Sequence, residues 1–110
     1  MRTVDEIYNS LAQGIVDQLS SEWETAWINA KVLDDAAGVD GEYRVEGADN
    51  VSYFNVKDEA FDDFEELHQI TTEGDSNRWN RAKFVLERSG KFSIDFEWDQ
   101  QLEDEIKANS

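Results

Sequence analysis

The sequence predicts an α+β fold: an antiparallel sheet of about five strands with helices on one face, in the order α-β-β-β-α-β-β plus a short C-terminal helix. Two stretches, residues 4–19 and 56–71, repeat apolar residues at helical spacing. Between and after them, short runs alternate apolar and polar residues with period two. Chain order supplies the third observation. Three such runs precede the second helix and two follow it around a tight turn, which makes antiparallel pairing the simplest solution.

The first helix opens on a capping box, Thr3 with Glu6, in which each side chain satisfies the other's free backbone N–H. Val4, Ile7, Tyr8, Leu11, Ile15 and Leu19 form its apolar stripe, and Ser20-Ser21 ends it. Residues 23–33 read as a strand in which Ala26, Ile28, Ala30 and Val32 alternate with Trp27, Asn29 and Lys31. Residues 34–41 (DDAAGVDG) read as a turn, and 41–46 and 51–56 as two further short strands of a meander. The second helix is expected over 56–71 with Asn55 as its cap. Residues 73–77 form the loop that follows it.

Residues 79–98 (WNRAKFVLERSGKFSIDFEW) carry the clearest hairpin signal, two alternating runs around Ser89-Gly90. Ala82, Phe84 and Leu86 share one face of the first run, and Phe92, Ile94, Phe96 and Trp98 share one face of the second. No other stretch offers as much apolar area, so the remainder of the chain is expected to pack against it. Beyond it, Leu102 and Ile106 are spaced for a short helix, with Glu103 and Lys107 able to pair.

A chain of 110 residues is read as one domain, residues 1–110, with a modest core. At 39% hydrophobic and 12% aromatic it has enough apolar surface to fold, which argues against disorder despite the charge. There is no cysteine, which excludes disulfides and thiolate metal sites. The N-terminal MRTVDEIYNS has acids where a signal peptide needs a base and an apolar run, and nothing resembles a membrane span, so a cytoplasmic location is expected.

Twenty-six acids against ten bases give a formal charge of −16. Such a surface repels nucleic acid and anionic membrane and speeds encounter with a basic partner. The plainer explanations are solubility or an acidic proteome. The second helix weighs against them. Ala60, Phe61, Phe64, Leu67, His68 and Thr71 fall on one side of it, and Asp58, Glu59, Asp62, Asp63, Glu65 and Glu66 on the other, with no base between. Solubility is normally reached with both signs mixed, which also supports the helix. Six mutually repelling carboxylates point to an interaction face.

Catalysis has little support. His68 is the sole histidine and lies on the apolar side, so no Ser/His/Asp set can be built without a core residue. Asp95 and Glu97 share a strand face, but a pair on an exposed strand lacks the pocket that would separate their pKa values. No phosphate-binding glycine motif is present. Asp34, Asp35, Asp40 and Glu42 invite a calcium reading, yet Ala36 and Gly38 occupy positions where a calcium loop needs oxygen ligands. No cofactor and no metal site are assigned. Trp23, Trp27, Trp79 and Trp98 are first of all sheet aromatics. Of these, Trp27 and Trp79, out of phase with their strands' apolar faces, are expected to be partly exposed and available to a partner.

One resemblance rests on several of these segments together. Glu22-Trp23-Glu24-Thr25-Ala26, then Trp79 with Phe84 and Leu86, then Gly90 through Asp99, resemble in order and spacing the YezG-like immunity (antitoxin) family. Its members are small acidic cytosolic proteins encoded beside polymorphic toxins, systems of the kind used in contact-dependent inhibition. The likeness spans about residues 19–99. Family members often continue past this hairpin into a further aromatic-rich segment, whereas this chain ends within a dozen residues of it. The shared residues look like fold determinants, so the resemblance implies a role and transfers no binding site.

The expected function is that of an immunity protein occluding a cognate toxin, a basic nuclease domain, one to one. The expected contacts are Asp58, Asp62, Asp63, Glu65 and Glu66, then Asp95 and Glu97, with Trp27 and Trp79 as aromatic anchors. Such a protein needs no catalytic apparatus, binds neither nucleic acid nor membrane, and is a monomer or weak homodimer. The competing readings are a DNA mimic that sequesters a DNA-binding protein, a plain acidic adaptor domain, and a carboxylate-metal hydrolase.

Overall fold

A ten-residue strand, Trp23–Val32, lies at the centre of the sheet and is hydrogen-bonded on both sides. The structure, a computed structural model, describes residues 2–19, 22–32, 37–47, 49–73 and 78–108. The elements are α1 (Val4–Gln18), β1 (Trp23–Val32), β2 (Ala37–Val45), β3 (Val51–Phe54), α2 (Glu59–Thr71), β4 (Arg81–Glu87), β5 (Phe92–Glu97) and α3 (Gln100–Ala108). The five strands are ordered β3-β2-β1-β4-β5 and every neighbouring pair is antiparallel. This is the α+β arrangement that the periodicities predict.

Burial along β1 alternates strictly over most of its length, with Ala26, Ile28, Ala30 and Val32 inward. Ala82, Phe84 and Leu86 of β4 join the same face, and Ile7, Leu11 and Ile15 of α1 and Ala60, Phe64 and Leu67 of α2 cover it. The small alanines beneath the helices let larger side chains such as Phe64 and Phe84, both fully buried, fill the layer. Truncating Phe84 to alanine would cost about 3–5 kcal/mol on these grounds. The capping box forms as expected at α1: the Thr3 hydroxyl accepts from the Glu6 N–H, and the Glu6 carboxylate accepts from the Thr3 N–H.

Two boundaries differ most from the sequence expectation. Residues 37–41 are strand, because the long β1 offers pairing partners as far as Val32↔Ala37 and outweighs the turn propensity of Gly38 and Gly41. The rest of that predicted turn, residues 33–36, lies outside the described residues, as does most of the loop 73–77. Gly41 is needed in the strand for a different reason. A Cβ there would approach the Phe54 ring to 2.7 Å and Val56 to 2.8 Å. Finally, α2 begins at Glu59, three residues later than expected, with Asp58 at its cap position in a helical conformation and making no side-chain cap. Val56 packs on the core and Lys57 is bound to Asp17, so both belong to the approach to the helix.

The hairpin does not organise the sheet. Its turn forms as predicted, with Gly90 at φ +100°, its N–H bonded to the Glu87 carbonyl and the Glu87 N–H to the Lys91 carbonyl. Yet β5 is an edge strand, and Phe92 and Phe96 are 47% and 41% exposed. The helical layer is too narrow to reach over it. Tyr8 at 5.5 Å from Phe92 and Trp79 at 4.8 Å from Phe96 (ring centroids) are the aromatic contacts its two phenylalanines make outside β4 and β5 among the described residues. After β5, Asp99 caps α3 by accepting from the Leu102 N–H, and Leu102 is buried.

Candidate functional site

Helix α2 lies antiparallel to α1, because contacts pair the start of one with the end of the other. Arg2 reaches Glu66, Ser10 reaches Asp63, and Lys57 reaches Asp17. This packing sorts the acids of α2 into two groups. Asp58, Glu59, Asp62 and Glu65 are exposed, and none of their side chains forms a hydrogen bond or a close ion pair with another described residue. Asp58, Asp62 and Glu65 fall at i, i+4 and i+7, a single stripe about 10 Å long at 1.5 Å per residue.

Asp63 and Glu66 belong elsewhere, which corrects the expectation of six acids on one face. Asp63 is 2% exposed, accepts from the Ser10 hydroxyl at 2.7 Å, and lies 2.7 Å from Arg2 Nη1. It shares the inward row of Ala60 and Leu67 at i−3 and i+4, so the helical period itself turns it toward α1. Glu66 is half-buried and takes both the backbone N–H of Arg2 (3.1 Å) and its guanidinium (2.8 Å to Nε). Those two contacts, the backbone one first, hold the Glu66 carboxyl below the usual glutamate range. The same pairing, led by Glu66 and then Asp63, raises Arg2.

The second expected acid set lies on the other side of the sheet. Asp95 and Glu97 are exposed on β5 opposite Lys83 and Arg81, on the face away from α1 and α2. The structure therefore does not bring them together with the α2 stripe. Signs are mixed on that face: Lys83 Nζ sits 5.2 Å from the Trp27 ring centroid, and Arg81 Nε donates to Asp99 at 2.6 Å. Asp40 is exposed on β2, and Glu42 accepts from the Trp27 indole N–H (3.0 Å) and from Asn29 (2.7 Å). Among the described residues no group of three or more His, Cys, Asp or Glu is placed to hold a metal ion.

The two tryptophans separate. Trp27 is half-buried on the uncovered face, as expected. Trp79 is 2% exposed, so it is no surface anchor. Its indole N–H donates to Thr71 Oγ1 (2.8 Å), its carbonyl accepts from His68 Nε2 (2.9 Å), and the His68 ring meets it edge-on at 4.8 Å. The alternation of β4 starts only at Arg81, and Trp79 and Asn80 before it are both buried, so extending the strand's phase backwards misplaces Trp79. His68 is thereby committed to structure.

The model of the YezG-like family, described as immunity protein YezG-like, matches residues 42–110, more than half of the chain. The chain belongs to the YezG-like immunity protein family. It is 27% identical to Immunity protein YezG of Bacillus spizizenii over 119 residues, covering 94% of this chain and 74% of that protein. It is 27% identical to the type VII secretion system protein EsaG of Staphylococcus aureus over 110 residues, covering 86% and 68%. Immunity protein YezG of Bacillus subtilis is 25% identical over 118 residues, covering 94% and 78%. At the level of the family, this YezG-like protein has an immunity role, with a toxin protein as its partner. The matched region holds α2 and the hairpin and begins at Glu42, within β2. No helix among the described residues is long and apolar enough to cross a membrane.

Sequence reasoning missed Arg2, Asn80 and Asp99. Asp99, three residues before Leu102, has the spacing of an N-cap and was findable. Arg2 and Asn80 act through contacts distant in sequence, which no local pattern reports.

Proposed function

We propose that this YezG-like protein neutralises its toxin in the cytoplasm by laying the exposed stripe of α2 into a basic, phosphate-binding surface of a nuclease domain, one copy to one. The observation that carries the reading is the sorting of the α2 acids. Asp58, Asp62 and Glu65 stay solvent-facing and unpaired, while the bases Arg2 and Lys57 are bound to other carboxylates. Unpaired carboxylates on one helix face repel each other, and a cationic partner relieves that repulsion. A nuclease that binds nucleic acid supplies such cations. Charge-assisted hydrogen bonds from its arginines and lysines then replace contacts to phosphate, and inhibition by occlusion requires no catalytic group.

The test is the triple variant Asp58→Lys, Asp62→Lys, Glu65→Lys, assayed for protection of cells expressing the toxin encoded beside this chain's gene. The expected result is loss of protection with a melting temperature equal to or above that of the unaltered protein. Full protection by the variant would remove α2 from the interface. Nuclease assays on the purified toxin, with and without the protein, test the substrate class separately.

A further inference from the structure

Two polar clasps between α1 and α2 bracket a gap. The Ser10–Asp63 hydrogen bond closes one end and the Lys57–Asp17 ion pair, at 2.8 Å, the other. Between them α1 presents Gly14 and α2 presents Ala60. Small residues facing each other normally let helices close together. These helices do not: a Cβ placed on Gly14 would meet nothing within 4 Å. What remains is a cleft of about 260 Å³ floored by Leu11, Ile28, Phe54, Val56 and Ala60. An apolar cavity of about 150 Å³ already accepts a benzene-sized group, so there is room for one large side chain.

Gly14 is otherwise unaccounted for. Glycine inside a helix is destabilising relative to alanine, and neither a positive φ nor a close approach requires it at this position. The rim indicates what the cleft is suited to take. On it Asp17 is already paired with Lys57 and Asp63 is buried against Arg2, which leaves Glu59 as the open acid, and the exposed Asp58 and Asp62 continue along α2 beside it. An apolar floor inside an acidic rim matches an apolar side chain flanked by cations.

We propose that this cleft is the anchor site for the toxin, receiving a leucine, methionine or phenylalanine side chain carried between lysines or arginines. The inference rests on the reading of α2 as the toxin-facing helix and divides the labour within it. The acidic stripe attracts and orients the toxin, and the cleft retains it, since buried apolar anchors dominate binding energy and charged rims dominate encounter.

The test is titration of the toxin domain encoded beside this chain's gene, inactivated by substitution, against the series Gly14→Ala, Gly14→Leu and Gly14→Phe. These side chains fill the cleft from within on ordinary helical backbone. Affinity should fall in order of added volume, at least tenfold for leucine, through faster dissociation, with an unchanged slope of log Kd against log salt. Melting temperatures should equal or exceed that of the unaltered protein. If the leucine and phenylalanine variants bind as tightly as the unaltered protein while the α2 triple variant binds weakly, the cleft is not used and the acidic face is. If the triple variant also binds normally, both readings fall.

Discussion

Arg2 and Asp63, far apart in sequence, form a 2.7 Å ion pair in which the carboxylate is 2% and the guanidinium side chain 36% exposed. The pair fastens the residues before α1 to the middle of α2 and withdraws Asp63 from the outer face. Removing one partner of a fully buried pair costs about 3–5 kcal/mol. Arg2 is partly solvated and Ser10 still serves Asp63, so Arg2→Ala should cost about 2 kcal/mol, a fall in Tm of about 10 °C. The neighbouring Asp62→Asn, at an exposed unpaired site, should change stability by no more than about 0.5 kcal/mol. Thermal melts of the two variants check the contrast.

Acid should erode this clasp. Glu66 is held low by the Arg2 N–H and guanidinium, Asp99 by Arg81 and the Leu102 N–H, and Asp17 by Lys57 and Gln13. A carboxyl whose folded-state pKa lies below its unfolded value contributes its full stabilisation above the unfolded value. It loses that contribution as pH falls through the folded one. Stability should therefore drop below about pH 4, where ordinary carboxylates titrate. In Arg2→Ala the guanidinium's part of the Glu66 share is gone while the backbone N–H of residue 2 still donates, so the difference in Tm between variant and unaltered protein should narrow in part from about pH 7 to about pH 2. A constant difference would show that Arg2 acts through packing alone.

Binding should be salt-sensitive mainly in its on-rate. The stripe on α2 is solvent-facing, and the Debye length shrinks from about 10 Å at 0.1 M to about 3 Å at 1 M ionic strength. Association with the toxin should slow by about tenfold or more across that range while dissociation changes little. Stopped-flow mixing at several salt concentrations reads both rates. An on-rate indifferent to salt would detach the acidic stripe from recognition.

A second polar hub holds α3. The Asn80 side chain accepts the Asp99 N–H (2.7 Å) and donates to the Asp99 carbonyl (2.8 Å), extending the β4–β5 ladder by one side-chain rung. Asn80 is 3% exposed, and its own N–H bonds the Glu97 carbonyl. Asn80→Ala leaves these partners unsatisfied at a cost of about 1–3 kcal/mol. The loss should appear first as faster hydrogen exchange across residues 99–108, ahead of α1 and β1.

Much of the architecture was legible because periodicity reports burial directly. The alternation of Ala26, Ile28, Ala30 and Val32 and the stripe of Ile7, Leu11 and Ile15 became the core. Strand order was less legible. The apolar face of Phe92, Ile94 and Phe96 resembles that of a central strand, yet composition cannot tell how far a helical layer extends over a sheet. Asp63 shows the same gap at the level of one residue. Its period places it in the Ala60–Leu67 row, but its charge argued for solvent, and the resolving partners, Arg2 and Ser10, are distant in sequence. The cleft at Gly14 was invisible, since a glycine in a helix signals only lower propensity until the space around it is seen.

The central position of β1 bears on when protection becomes available during synthesis. Residues 25–31 take β4 as a ladder partner through residues 81–87, with all of α2 translated in between. A nascent chain that has cleared the ribosome only as far as α2 holds β1 by one edge and leaves Phe84 and Leu86 absent from the core. The acidic helix thus emerges before the platform that orients it, and a shielded cell depends on polypeptides elongated through β4.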